Sequence, residues 1–295
     1  YKVVNRCEVE EKKFVIIYDE IHEMELNYNH RHKLIYPLKY FEHEDQHMAL
    51  EELKRVMYFT KEVEFVCTEI EEKLKVPDLL GKTVKVTEKQ FPEVYKILVK
   101  QAKIAEIEIP DTFVYEDFYY GVESKGTTKP WIEVSAKTIQ DLKSEEIEFL
   151  ISREMYNIKN GITYYRSIFE QLIKVIESGS WIVGVDTLIK TMKLKMCHWN
   201  RLTHFSADCY GYLMNKNIVI CINSILKLVL NSTYLSEEID IFSYIEQGSE
   251  INLLDDIVYN YTKLDEMVPY GPYRVNNLIG YASSKNGILA IKNMK

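Results

Sequence analysis

Apolar positions recur at spacings of three and four over most of the chain, a period that predicts a largely helical protein. From Ala49, the residues Leu50, Leu53, Val56, Met57 and Phe59 follow it. A second helix is predicted through Val63, Val66, Ile70 and Leu74, ending before Pro77, because proline disrupts a helix interior. The run "FPEVYKILVKQAKIA" places Phe91, Val94, Ile97, Leu98 and Ala102 on one face of an amphipathic helix. "DTFVYED" and "PWIEVSA" are short β-branched and aromatic runs bounded by Gly and Pro, and these predict strands. Helix is predicted again through "TIQDLKSEEIEFLISREMYNIKNG", with Ser144 as its N-cap. Further helical patterns are predicted near Tyr164–Ser178, Val185–Leu213, Ile218–Asn231, Ile239–Glu246, Leu253–Leu264 and Arg274–Ser284, and a strand near Phe14–Tyr18. The expected fold class is α+β and mostly helical, with a small sheet. Residues 1–85 are expected to form a partly helical N-terminal extension and 86–295 the main domain.

At 46% hydrophobic and 28% charged residues, the 295-residue chain can bury a full core. Its 37 basic and 45 acidic residues give a net charge of −8 and no basic run, which argues against a nucleic-acid partner. The five cysteines, Cys7, Cys67, Cys197, Cys209 and Cys221, form no C-x-x-C pair and no disulfide framework. Reduced thiols in a cytoplasmic protein are the expectation. The most apolar late stretch, Ile218 to Leu230, is broken by Asn223 and Lys227 and is too short to span a bilayer, so no membrane insertion is expected.

Two segments invite comparison with zinc helices, in which two His at i and i+4 bind the metal and a Glu activates water. His43-Glu44-Asp45-Gln46-His47 is a literal H-E-x-x-H. It lies among charged residues in "YFEHEDQHMALEELK", where a dry metal cleft is not expected; the simpler reading is a solvated helix start. "EEIEFLISREMYNIKNG" instead has the periodic apolar face of a buried helix in Ile147, Leu150, Ile151, Met155 and Ile158. Its central five residues are Arg153-Glu154-Met155-Tyr156-Asn157, in which only the Glu of the motif survives.

Together with "WNRLTHFSADCYGYL", this segment resembles the gluzincin metallopeptidases related to the CAAX prenyl endopeptidase and the HtpX heat-shock endopeptidase. Leu150, Glu154, Ile158 and Asn160 fit that family's L-x-x-H-E-x-G-H-I-x-N helix. Arg201, Ser206, Ala207, Asp208 and Gly211 fit its R-x-x-E-x-S-A-D-x-x-G helix. Pro269 and Arg274 fit a later H-P-x-x-x-x-R pattern whose His is Val268 here. The likeness runs from about Tyr36 to Lys295 and implies a zincin-like domain.

The resemblance puts the family's three metal ligands at Arg153, Asn157 and His204, its general base at Glu154 and a second-shell carboxylate at Asp208. Arg has no lone pair to give, and the Asn amide oxygen is a poor zinc donor. Zinc is therefore expected to be absent, with Glu154 idle and Arg153 paired to Asp208 or Glu154. Tyr156 replaces a family glycine and is expected to fill part of the cleft.

The expected function is that of a catalytically inactive, metallopeptidase-like protein acting as a peptide- or protein-binding or regulatory module. An active zinc metalloendopeptidase with a non-standard site, at His43/His47 or His198/His204, is the alternative. A purely structural subunit with a filled cleft is the third. Gluzincins hold substrate along a sheet edge, which makes Trp131, Ile132, Glu133, Val134 and Ser135 the candidate edge for an extended peptide or protein tail.

Overall fold

The computed structural model describes residues 41–43, 45–57, 60–65, 68, 72–178, 185–251 and 266–293. The strand expected near Phe14–Tyr18 and the helix expected near Leu253–Leu264 lie outside them, as do Phe59, Val66 and Ile70. The helices preceding the sheet are α1 (Gln46–Val56), α2 (Lys61–Phe65) and α3 (Glu72–Lys82). Pro77 lies inside α3, so that helix passes the point where the sequence predicts its end.

Strand β1 (Val84–Lys85), helix α4 (Pro92–Ala105) and strands β2 (Asp111–Tyr115), β3 (Val122–Lys125) and β4 (Trp131–Ser135) follow. Phe91 enters α4 at φ 57 and Pro92 starts it with no N–H to lose. Val94, Leu98, Ala102 and Ala105 then form its buried face. The sheet order is β1-β2-β4-β3, with β2 and β4 parallel and β3 antiparallel to β4. The β3–β4 turn depends on Gly126: its φ is +92, and a Cβ there would meet the Trp131 ring at 2.4 Å.

The helices after the sheet are α5 (Ala136–Asp141), α6 (Ser144–Lys159), α7 (Ile162–Ser178), α8 (Val185–Asn215), α9 (Ile218–Leu230), α10 (Thr233–Ser236), α11 (Ile241–Ile251), α12 (Gly271–Ser283) and α13 (Lys285–Asn293). The helix expected from Thr138 onward is two helices. Leu142 and Lys143 are extended between them, and the Lys143 N–H donates to Glu146 Oε2 at the start of α6. Lys143, not Ser144, is thus the N-cap.

Every residue of α6 from Phe149 to Asn157 is buried, because the helix lies between two apolar clusters. One joins the sheet, α4, α9 and α12 through residues such as Ile132, Leu98, Ile225 and Leu278 to Leu150 and Ile151. The other joins α1, α7 and α8 through Leu53, Phe169 and Trp199 to Tyr156. Gly211 lets α8 approach α6 closely, since a Cβ there would meet the Phe149 ring at 2.7 Å and Arg153 Cγ at 3.0 Å. The chain is an α+β protein, mostly helical, with a small sheet.

Candidate functional site: a buried arginine–carboxylate cluster

Ser152, Arg153, Glu154 and Asn157 of α6 are buried, so each must find its partner inside the protein. Arg153 and Asn157, one turn apart, project from the same side of the helix. The Arg153 side chain is 5% exposed, and its Nε lies 2.6 Å from Asp208 Oδ1 on α8. That approach is not aligned for a hydrogen bond, so the contact is ionic in character. Arg153 Nη2 donates to His204 Nδ1 at 2.8 Å. Because arginine only donates, Nδ1 is the acceptor and His204 is the neutral Nε2–H tautomer.

Asp208 is completely buried and holds a second guanidinium. Arg274 of α12 donates through Nε to Oδ2 and through Nη2 to Oδ1, both at 2.8 Å, a two-pronged pairing suited to a carboxylate. Burial would raise the Asp208 carboxyl, but Arg274 and then Arg153 overcome it and hold the group below its ordinary range. Burial lowers the Arg153 guanidinium, and although Asp208 counters this, Arg274 across the carboxylate adds to the lowering. Arg274 comes out raised, since Asp208 outweighs its burial. Arg274 thus holds Asp208 through two aligned hydrogen bonds, where Arg153 makes a close ionic contact without one.

Glu154 turns toward the sheet. Its Oε2 accepts from the Ser124 backbone N–H at 2.9 Å, from Ser124 Oγ at 2.6 Å and from Asn157 Nδ2 at 3.1 Å. Arg166 Nη2 lies 3.5 Å from the same oxygen and donates to the Ser124 carbonyl at 3.3 Å. Ser167 Oγ accepts from the Gly126 N–H at 3.0 Å. These contacts occupy backbone groups of β3 that face away from β4. The outer strand beside the central helix is thus bonded to side chains of α6 and α7.

This placement corrects the expectation for Trp131, Ile132, Glu133, Val134 and Ser135. They form β4, an interior strand paired with β2 on one side and β3 on the other, so no peptide can add along it. The outer strand, Val122-Glu123-Ser124-Lys125, was missed because its alternation is short and polar. Ser124, Arg166 and Ser167 were missed with it. A basic residue amid the apolar period of α7 was the only available hint.

Tyr156 does not fill a cleft beside Glu154. It points to the opposite cluster, with Phe41 and Tyr210 around its ring, and its hydroxyl donates to Glu42 Oε1 at 3.2 Å and accepts from Gln46 Nε2 at 3.3 Å. Gln46 Oε1 accepts from Ser206 Oγ at 2.6 Å, and the same Oγ accepts the His43 N–H at 2.9 Å. The segment carrying the literal H-E-x-x-H is accordingly docked on α6 and α8, not peripheral. Its two histidines do not converge: His43 is half-buried beside Phe205, whereas the His47 side chain is 72% exposed near Glu42. Glu44 lies outside the described residues. His198 is exposed on α8.

The donors at the positions of the family's ligands do not fit zinc. Arg153 offers no lone pair, the Asn157 amide is weak, and the Nδ1 lone pair of His204 is already used by Arg153. Among the described residues, no three His, Cys, Asp or Glu side chains are grouped so as to hold a metal ion. None of the helices there is long and apolar enough to cross a membrane.

No family model matches the chain, and no solved structure matches it. Among curated proteins it is similar to the plastoglobule-localized metallopeptidase 48, chloroplastic, of Arabidopsis thaliana, at 20% identity over 184 residues. That match takes in 60% of this chain and 52% of the relative, so the chain spans about half the length of the curated protein it matches. The similarity is metallopeptidase-like and partial.

Proposed function

We propose that the protein is a pseudo-peptidase: a zincin-like scaffold of the gluzincin type that binds or regulates another protein and does not cleave peptide bonds. The observation that carries this reading is the Arg153 guanidinium between Asp208 and His204, where the family resemblance would put the metal. A fixed cation there opposes a divalent ion and ties α6 to α8 in its place. Glu154 has no metal-bound water to deprotonate in this reading, and its oxygen serves Ser124 instead. In this reading the peptidase-like unit begins with β1 (Val84–Lys85), which pairs with β2 in the sheet, two residues before the boundary expected at 86, and α1 packs against it through Leu53. The buried thiols of Cys197, Cys209 and Cys221, none of them in a disulfide among the described residues, fit a reducing compartment such as the cytoplasm.

Metal content tests the reading directly. The purified chain should carry far less than one zinc per molecule, and a chelator should leave its Tm unchanged. One tightly held zinc per chain, with a Tm that falls on chelation, would overturn it. So would hydrolysis of an unstructured protein such as casein that chelator abolishes. The triple variant Arg153→His, Asn157→His, His204→Glu should bind zinc if the scaffold is zincin-like.

A further inference from the structure

A second region brings together exposed aromatic side chains, an apolar groove and a preponderance of acidic residues. Phe118 is 80% exposed, Tyr119 67% and Tyr234 69%, values far above those of ordinary core formers. The loop carrying Phe118 and Tyr119 is held by a hydrogen-bonded junction at Asn231, which sits just beyond α9 at φ 51. Asn231 Oδ1 accepts the Tyr120 N–H at 3.0 Å, and its Nδ2 donates to the Phe118 carbonyl at 2.8 Å. Lys137 Nζ donates to the carbonyls of both Phe118 and Asn231, locking the two loops together. The aromatic tips are therefore presented on a braced backbone.

Leu230, next to Asn231 in the chain, lines an apolar cavity of about 620 Å³ between α9, α11 and the start of α12. Leu230, Ile239, Tyr244, Tyr270 and Pro272 line it. Its rim is acidic. Residues 228–251 contain Glu237, Glu238, Asp240, Glu246 and Glu250 and no Lys or Arg, and Glu116 and Asp117 precede the exposed aromatics. Lys227, the next cation back along α9, is buried on Glu146.

We propose that this face docks a basic amphipathic helix of a partner protein, its apolar stripe in the groove and its Lys or Arg residues over the acidic rim. The cavity lies between helices and shows no strand edge, which suits a helix more than an extended peptide. Braced aromatics supply anchoring area at low entropic cost, as at interface centres. An acidic rim repels nucleic acid and anionic lipid, and complementary charge speeds and orients a basic partner.

The test uses the full chain and a labelled helical Leu/Lys peptide whose leucines recur at i, i+3, i+4 and i+7, read by fluorescence anisotropy. Saturable binding that weakens as salt rises is expected. Ser243→Arg, which puts a cation at the groove wall, and Glu237→Lys/Glu238→Lys should each weaken it roughly tenfold. Glu93→Lys, on the exposed side of α4, should bind as the parent does. Circular dichroism establishes that the variants are folded. The proposal is overturned by an absence of saturable binding, by equal binding of a Leu/Glu peptide, or by equal binding of a Leu/Lys peptide with its leucines spread round the helix. Unchanged affinity in both groove and rim variants overturns it too, as does self-association that Ser243→Arg abolishes, which would assign the face to a second copy.

Discussion

Glu154 Oε2 accepts both the backbone N–H and the hydroxyl of Ser124, at 2.9 and 2.6 Å, and so ties the central helix α6 to the outer strand β3. A carboxylate of α6 and the guanidinium of Arg166 thereby occupy the outward-facing N–H and C=O of Ser124 on β3. Glu154→Ala should destabilise by about 3 kcal/mol, because it removes the carboxylate facing the buried Arg166 and leaves the Ser124 N–H without its acceptor. Glu154→Gln should cost less, since an acceptor remains. Urea unfolding measures both; stability equal to the parent in Glu154→Ala would show that the residue carries no structural role.

Asp208 is shared unequally between two guanidiniums, and the inequality can be measured. Arg274→Ala removes the two-pronged partner and should cost about 3 kcal/mol or more. Arg153→Ala leaves Asp208 held by Arg274 and removes a cation lowered by burial, so about 2 kcal/mol is expected. The double variant should lose more than the sum of the two, since Asp208 is then buried with neither partner. An Arg153→Ala loss exceeding that of Arg274→Ala would contradict the assignment.

Gly211 sets the spacing of α6 and α8 at the level of Arg153. Gly211→Ala should destabilise by roughly 1–3 kcal/mol, as overpacking does, because the new methyl meets a fully buried Phe149 ring that has no room to yield. Phe149→Leu in the same chain should recover part of that loss if the ring is the obstacle. Thermal unfolding of the single and double variants decides it.

The helical outline was legible because apolar period is a local property: α4, α6, α7, α8 and α9 fall on the predicted patterns. The strand order was not, because register and neighbours depend on contacts distant in sequence. "PWIEVSA" reads equally well as edge or interior, and pairing with β2 makes it interior. The Arg153–Asp208 pair could be anticipated from the two helix motifs. Arg274 was visible only as a pattern residue, and Ser124 not at all, because its role exists only once β3 lies against α6. Tyr156 was misplaced for a related reason: a helix buried on both sides gives its sequence no means of saying which cluster a large ring will join.

His204 should make stability depend on pH in a particular window. Burial first, and then Arg153, Arg274 and Arg166, hold its imidazole well below the ordinary histidine range. A histidine lowered on folding contributes stability that is complete above its unfolded value, about 6.5, and falls as pH drops below it. In that region the unfolded chain takes up a proton that the folded one refuses. Unfolding free energy should therefore decline between pH 7 and pH 5, by at most about 1.4 kcal/mol per pH unit from this group. His198 is also lowered and adds a slope of the same sign. His204→Asn should remove the larger part of the decline, even if the variant is less stable at pH 7, because Asn can still accept from Arg153 but cannot titrate. Urea unfolding across the range reads the slope directly. An undiminished slope in His204→Asn would mean that the imidazole takes up its proton in the folded state, and that Arg153 does not hold Nδ1 as the structure has it.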